Sequence, residues 1–236
     1  MAEDTVIHAY GFYSYSPGWS VTVDQVPLMV LLIWPVVILS ARDLALSLGG
    51  RASAILVGLV VLADASLIEP IAVRAGLWSW SEPGLFGVPP VGLLGWAYFA
   101  ALAARVGPGS PVRLLLAPAA ATHLLLLATW WGALRWVSGP IPPWPAVGLA
   151  WAGSLALTAA ILRRGLHERV PTRDLLMRLP AALFFFGLLA VHREGAEPLV
   201  AYALAFGPPY LALMRRSSAA VSSKRSGPAK SSTTAT

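Results

Sequence analysis

Solid apolar blocks, separated by short stretches rich in Pro, Gly, Trp or Arg, fill most of the chain. Seven such blocks cover roughly 26–42, 52–73, 88–105, 112–133, 146–163, 175–191 and 197–214. A helix crossing the hydrocarbon core of a bilayer needs about 20 residues, and these blocks are of that order. Backbone polar groups in lipid must be satisfied within the segment, so blocks of this kind are helices. A transmembrane barrel would instead show short segments of alternating polarity. The pattern predicts an all-α, polytopic membrane protein with about seven transmembrane helices.

Charge then gives the blocks a direction. Arg42 and Arg51 fall between the first two blocks, Arg105 and Arg113 between the third and fourth, and Arg163, Arg164, Arg169 and Arg173 between the fifth and sixth. The opposite loops carry only Arg74, Arg135 and Arg193. The positive-inside rule therefore predicts an outer N-terminus, a cytoplasmic C-terminus and aromatic-rich loops on the outer side of the inner (cytoplasmic) membrane. The net charge of +6 does not point to nucleic acid, because Arg215, Arg216, Lys224, Arg225 and Lys230 supply five of those charges in a Ser/Thr-rich tail without acids. Residues 215–236 are expected to be a disordered basic tail drawn to anionic lipid, following a single transmembrane domain over 1–214. No cleavable leader is apparent, since Glu3 and Asp4 stand where basic residues would lie.

A repeat is visible within the blocks. "YSYSPGWSVTVDQVPLMVLLIW" (Tyr13–Trp34) and "WSWSEPGLFGVPPVGLLGW" (Trp78–Trp96) both read aromatic-Ser-aromatic-Ser, a turn, Val-Pro, and a Trp seven residues after that Pro. Each continues through apolar sequence to an arginine, Arg42 or Arg105. A fainter third copy reads "ALRWVSGPIPPWPAVGLAW", ending at Trp151. Recurrence at every second span predicts parallel repeats of helix pairs, and repeat interfaces commonly hold sites.

Ionisable groups inside a bilayer are costly, so each is a candidate for chemistry. The second block carries Asp64 and Glu69, and the fourth carries His123. Asp64 and Glu69 lie about 140° apart around a helix, too far to face one small ligand together, and Pro70 is expected to end or kink the helix beside Glu69. Asp64 has a structural alternative, as the partner of His123 or of an arginine. The chain has no cysteine, and His8, His123, His167 and His192 are scattered, so no metal site is expected. Neither a Gly-x-Ser-x-Gly nucleophile turn, a Gly-rich phosphate loop nor a paired-acid magnesium motif occurs. What remains is metal-independent, cofactor-free acid catalysis on an apolar substrate. A carboxyl group isolated in a dry site keeps its proton at neutral pH. It can pass that proton to a carbon–carbon double bond, and aromatic faces can stabilise the cation by about 2 kcal/mol each. Tyr13, Tyr15, Trp78 and Trp80 suit that task, and equally suit an interfacial belt.

The stretch "IEPIAVRAGLWSWSEPGLFGVPPVGLLGW" resembles the second signature of the CruF-type carotenoid hydratases, an integral-membrane carotenoid biosynthesis family. "YGFYSYSPGWSVTVDQVPLMVLLIWPVVILSARDLA" is similar to the first, and together the two cover about Tyr10–Arg105. The resemblance implies addition of water across a terminal isoprenoid double bond, leaving a tertiary alcohol. Glu69 stands at the family's acid, and Trp78, Trp80, Gly87, Val88, Pro89, Gly95 and Trp96 match directly. The family's Asn after Val-Pro falls near Gly92, and its preceding helix and upstream acid are expected to be absent or represented by Glu3 and Asp4. Membrane lycopene cyclases look similar too, but "VPLMVLLIW" and "VPPVGLLGW" lack their paired glutamates.

The residues thus predict Glu69 and Asp64 as catalytic acids. Tyr13, Tyr15, Trp34, Trp78, Trp80, Trp96 and His123 are predicted to contact an isoprenoid or carotenoid within membrane lipid. Hydration makes the enzyme a lyase; cyclisation of the same cation makes it an isomerase. A non-enzymatic seven-helix carrier with a midplane site fits the repeat and Asp64 as well.

Overall fold

The computed structural model describes residues 7–49, 53–106, 110–137, 139–166 and 170–215. The basic tail after Arg215, together with Glu3, Asp4, Arg51, His167 and Arg169, lies outside them. The chain is mostly helical. Its long helices are α1 (Leu28–Gly49), α2 (Ala54–Arg74), α3 (Pro90–Val106), α4 (Pro111–Gly132) and α5 (Pro143–Arg163). Short helices follow: α6 (Thr172–Leu176), α7 (Leu179–Val191), α8 (Glu197–Leu204) and α9 (Gly207–Met214).

Among the described residues, five helical stretches are long and apolar enough to cross a membrane: α1, α2, most of α4, α5, and the run Thr172–Val191 that joins α6 and α7. The third predicted block is a 17-residue apolar helix, α3. The seventh is broken at Ala205 and Phe206 into two eight-residue helices, α8 and α9. Pro198, Pro208 and Pro209 lie in the first turns of those helices, where a missing N–H costs nothing.

α2 is the hub of the bundle. It packs most extensively on α3 and also meets α1, α7 and α8. Small residues allow the close approach: a Cβ on Gly58 would lie 2.9 Å from the Ala97 carbonyl oxygen and 3.1 Å from the Ala101 side chain. Around this crossing Ala41, Ala45, Val57, Val61 and Ala100 form one buried core. α4 packs on α3, and α5 on α8 and α9. The helix through Glu69 does not stop at Pro70, as expected from the sequence, but runs on to Arg74. It ends two residues before Gly76, whose φ of +70° closes the helix, with Leu77 N–H on Ala72 and Gly76 N–H on Val73.

That turn leads into the strand-forming loops. Strand β1 (Tyr13–Tyr15) pairs antiparallel with β4 (Trp78–Trp80), in the register Tyr13↔Trp80, Ser14↔Ser79 and Tyr15↔Trp78. The two matched triplets of the sequence repeat are therefore bonded to each other, with Ser14 and Ser79 hydroxyls 2.9 Å apart. Their following tryptophans, Trp34 on α1 and Trp96 on α3, also stack, at 4.1 Å between centroids. β2 (Thr22–Val23) and β3 (Val26–Pro27) form a small hairpin that feeds α1. The third stretch begins differently, with a 3-10 turn at Leu134–Trp136 in place of a strand.

Candidate active site

Side chains two apart on a strand share a face, so the Trp-Ser-Trp spacing of β4 sends both indoles the same way. They meet Glu69, one turn before the end of α2. Trp78 Nε1 donates to Glu69 Oε2 at 2.8 Å and Trp80 Nε1 to the same oxygen at 3.1 Å. Trp96 Nε1, from α3, donates to Oε1 at 2.7 Å. Glu69 is 3% exposed, and its carboxyl group has three indole donors as its hydrogen-bonding shell.

Indole nitrogen only donates, which limits what this arrangement can be. An ionised carboxylate accepts all three N–H groups. A neutral carboxyl accepts them as well, with the carbonyl oxygen taking Trp78 and Trp80 and the hydroxyl oxygen taking Trp96. In that form one O–H remains, and none of the three tryptophans can accept it. If the proton departs, the same three donors hold the resulting anion through charge-assisted bonds, which are stronger than neutral ones. The cluster can therefore hold the carboxyl group in either protonation state and keeps the anion in place if the proton departs.

Two of these tryptophans also form the wall of a cavity of about 170 Å³. Tyr13, Trp34, Trp80, Trp96 and Phe99 supply aromatic surface, and Gly92, Thr122 and His123 lie in the same lining. A second chamber of about 160 Å³ shares Phe12, Val91, His123 and Leu126 with the first and extends to Trp130 and Trp131. A dry cavity of roughly 150 Å³ holds one benzene-sized molecule. The first chamber therefore has room for one small apolar group, and the second continues along α4.

Gly92 is required by this packing. A Cβ there would come within 2.5 Å of the Trp80 ring, so the ring occupies the space that a side chain at this position would need. The aromatic residues of β1 and β4 pack inward: Tyr13 and Trp80 lie 4.6 Å apart, Tyr13 and Tyr15 4.9 Å, and Tyr15 and Trp78 6.0 Å. Trp78 and Tyr15 do not line the cavity. Trp78 instead holds the acid, and Tyr15 packs behind it.

Asp64 is elsewhere. On α2 it faces away from Glu69 and forms an ion pair with Arg178, at the start of α7. Tyr210 of α9 donates to its other oxygen at 3.2 Å, while Arg178 also reaches Ser40 of α1 at 3.2 Å. This ties four helices together, as in the structural alternative for Asp64 with an arginine. Sequence reasoning missed Arg178 and Tyr210 because no local pattern links them to position 64. It also missed Thr122 and Phe99, which read as ordinary helix residues.

A family model described as carotenoid biosynthesis protein matches residues 7–143, more than half of the chain. The matched stretch contains β1 through α4, and with them Glu69, its three tryptophans and the full lining of both chambers. No curated protein and no solved structure matches the chain.

Proposed function

The chain belongs to the carotenoid biosynthesis protein family, and from that premise we propose that it protonates a terminal carbon–carbon double bond of an apolar isoprenoid and quenches the cation with water. Glu69 is the acid. The observation that carries this reading is its buried carboxyl, gripped by Trp78, Trp80 and Trp96 immediately behind the aromatic wall of the cavity. Glu69 does not itself line the cavity, so the step requires the Trp80 or Trp96 ring to move aside; the O–H bond of Glu69 then breaks as a C–H bond forms at the less substituted alkene carbon. The tertiary cation then lies against the faces of Trp80, Trp96 and Tyr13, each able to stabilise it by about 2 kcal/mol in a dry site. The indole N–H groups hold the carboxylate left behind, so the charge separation forms in a preorganised setting.

Cyclisation is the second reading, favoured by Gly92. With the Trp80 ring where the family's amide would sit, the first chamber is more apolar, and an internal alkene can compete with water for the cation. Asp64, in either reading, is a structural partner of Arg178 rather than a second acid. The seven apolar segments cross the inner membrane with the N-terminus outside, which brings the cavity toward the outer leaflet.

The test is expression in a lycopene-producing bacterium, with mass analysis of the pigments. Hydration adds the mass of one water, whereas cyclisation changes retention at constant mass. Glu69→Gln is expected to lower either product by at least about 100-fold, the scale of a lost general acid, while membrane insertion persists. Unaltered pigments with every linear carotenoid or shorter polyprenyl substrate would remove the enzyme reading.

A further inference from the structure

Two buried polar atoms on residues of the cavity lining have no hydrogen-bond partner among the described residues. His123 Nδ1 lies 2.9 Å from the carbonyl oxygen of Ala119, one turn earlier on α4. A carbonyl only accepts, so Nδ1 carries the hydrogen and Nε2 presents a bare lone pair. That Nε2 is buried, and no donor among the described residues reaches it. The neighbouring Thr122, 4% exposed, buries its Oγ1 with no partner either. Leaving such an atom unmet costs about 1–3 kcal/mol. Here two occur on adjacent residues, both lining one otherwise apolar chamber and one of them shared with the second. A buried water needs two or more polar partners, and an acceptor beside a hydroxyl supplies them.

We propose that Thr122 and His123 hold the water that quenches the cation, and that His123 Nε2 takes its proton. This rests on Glu69 as the acid. Water, oriented by Thr122 Oγ1 and Nε2, forms a C–O bond to the tertiary carbon while one of its O–H bonds breaks toward Nε2. The imidazolium then returns the proton to the Glu69 carboxylate, so that the sum is alkene plus water giving alcohol. The same pair binds the product's hydroxyl. His123 thereby decides between hydration and competing fates of one cation.

The test separates protonation from quenching. Full-length protein in lipid vesicles is given a linear carotenoid in deuterated water, and both deuterium entry and gain of water are read by mass. The wild type should show both, and Glu69→Gln neither. His123→Phe should still admit deuterium into unhydrated or cyclised polyene, with the alcohol reduced about 100-fold or more. His123→Gln, which restores an acceptor oxygen without a base, should lie between. Hydration by His123→Phe at the wild-type rate overturns the inference alone. Loss of deuterium entry in both His123 variants, with normal membrane insertion, also overturns it, because the histidine would then serve the protonation step. A wild type that admits no deuterium overturns the Glu69 reading, and this one with it.

Discussion

At the scale of single residues, the carboxyl of Glu69 and the space beside Gly92 set each other's limits. Trp80 can reach Glu69 only because no side chain at position 92 pushes its ring away. Gly92→Ala should therefore cost about 1–3 kcal/mol by overpacking, read as a lower unfolding temperature in detergent. It should also shift tryptophan emission, since the Trp80 indole loses its 3.1 Å bond to Glu69. Gly92→Asn is expected to do the same and to raise the proportion of hydrated product by adding an amide to the chamber. An unchanged unfolding temperature and spectrum for both variants would mean that the ring has room to move. That Glu69, Trp78 and Trp80 stand out together was legible in the sequence, because an acid in a span and a strand-spaced aromatic pair are both local patterns; the structure bonds the three to one another. The bond from Trp96 was not, as it joins residues 27 positions apart on different helices.

At the scale of elements, α2 divides its two acids between two jobs. The rotation of about 140° between Asp64 and Glu69 sends one toward α1, α7 and α9 and the other toward α3 and β4. Asp64→Ala leaves the Arg178 guanidinium without its carboxylate in a mostly buried position. Removing one partner of such a pair typically costs 3–5 kcal/mol, whereas replacing both by apolar residues is often close to neutral. Asp64→Ala should thus unfold well below the wild type in a thermal scan, and Asp64→Leu combined with Arg178→Met should regain most of the loss. Activity surviving in the double variant would separate this cluster from catalysis; a fully stable but inactive double variant would return Asp64 to the site. The divergence of the two acids could be worked out from helical geometry alone. Which arginine meets Asp64 could not, because Arg178 is 114 positions away and its block reads simply as apolar.

At the scale of the whole molecule, the crossing number is the quantity that hydropathy leaves open. Five stretches meet the length for a span, α3 falls just short, and α8 and α9 share one block between two short helices. Breaks of this kind are tolerated at membrane depth where the freed backbone is buried in protein, and Leu199, Tyr202, Ala203 and Ala205 are buried. The positive-inside pattern is satisfied throughout only if both ambiguous segments cross. The absence of cysteine makes a clean background for deciding this. Single cysteines at Glu82 and Glu194 should react with a membrane-impermeant maleimide added to intact cells, whereas cysteines at Arg164 and Lys224 should react only after lysis. If α8 and α9 do not cross, Lys224→Cys will label from outside together with Glu194→Cys. If α3 does not cross, Arg113→Cys will label from outside while Glu82→Cys still does. If all seven segments cross, Glu69, near the end of α2, lies in the outer half of the bilayer, where the proposed isoprenoid would enter from lipid and water would be near enough to supply the quench.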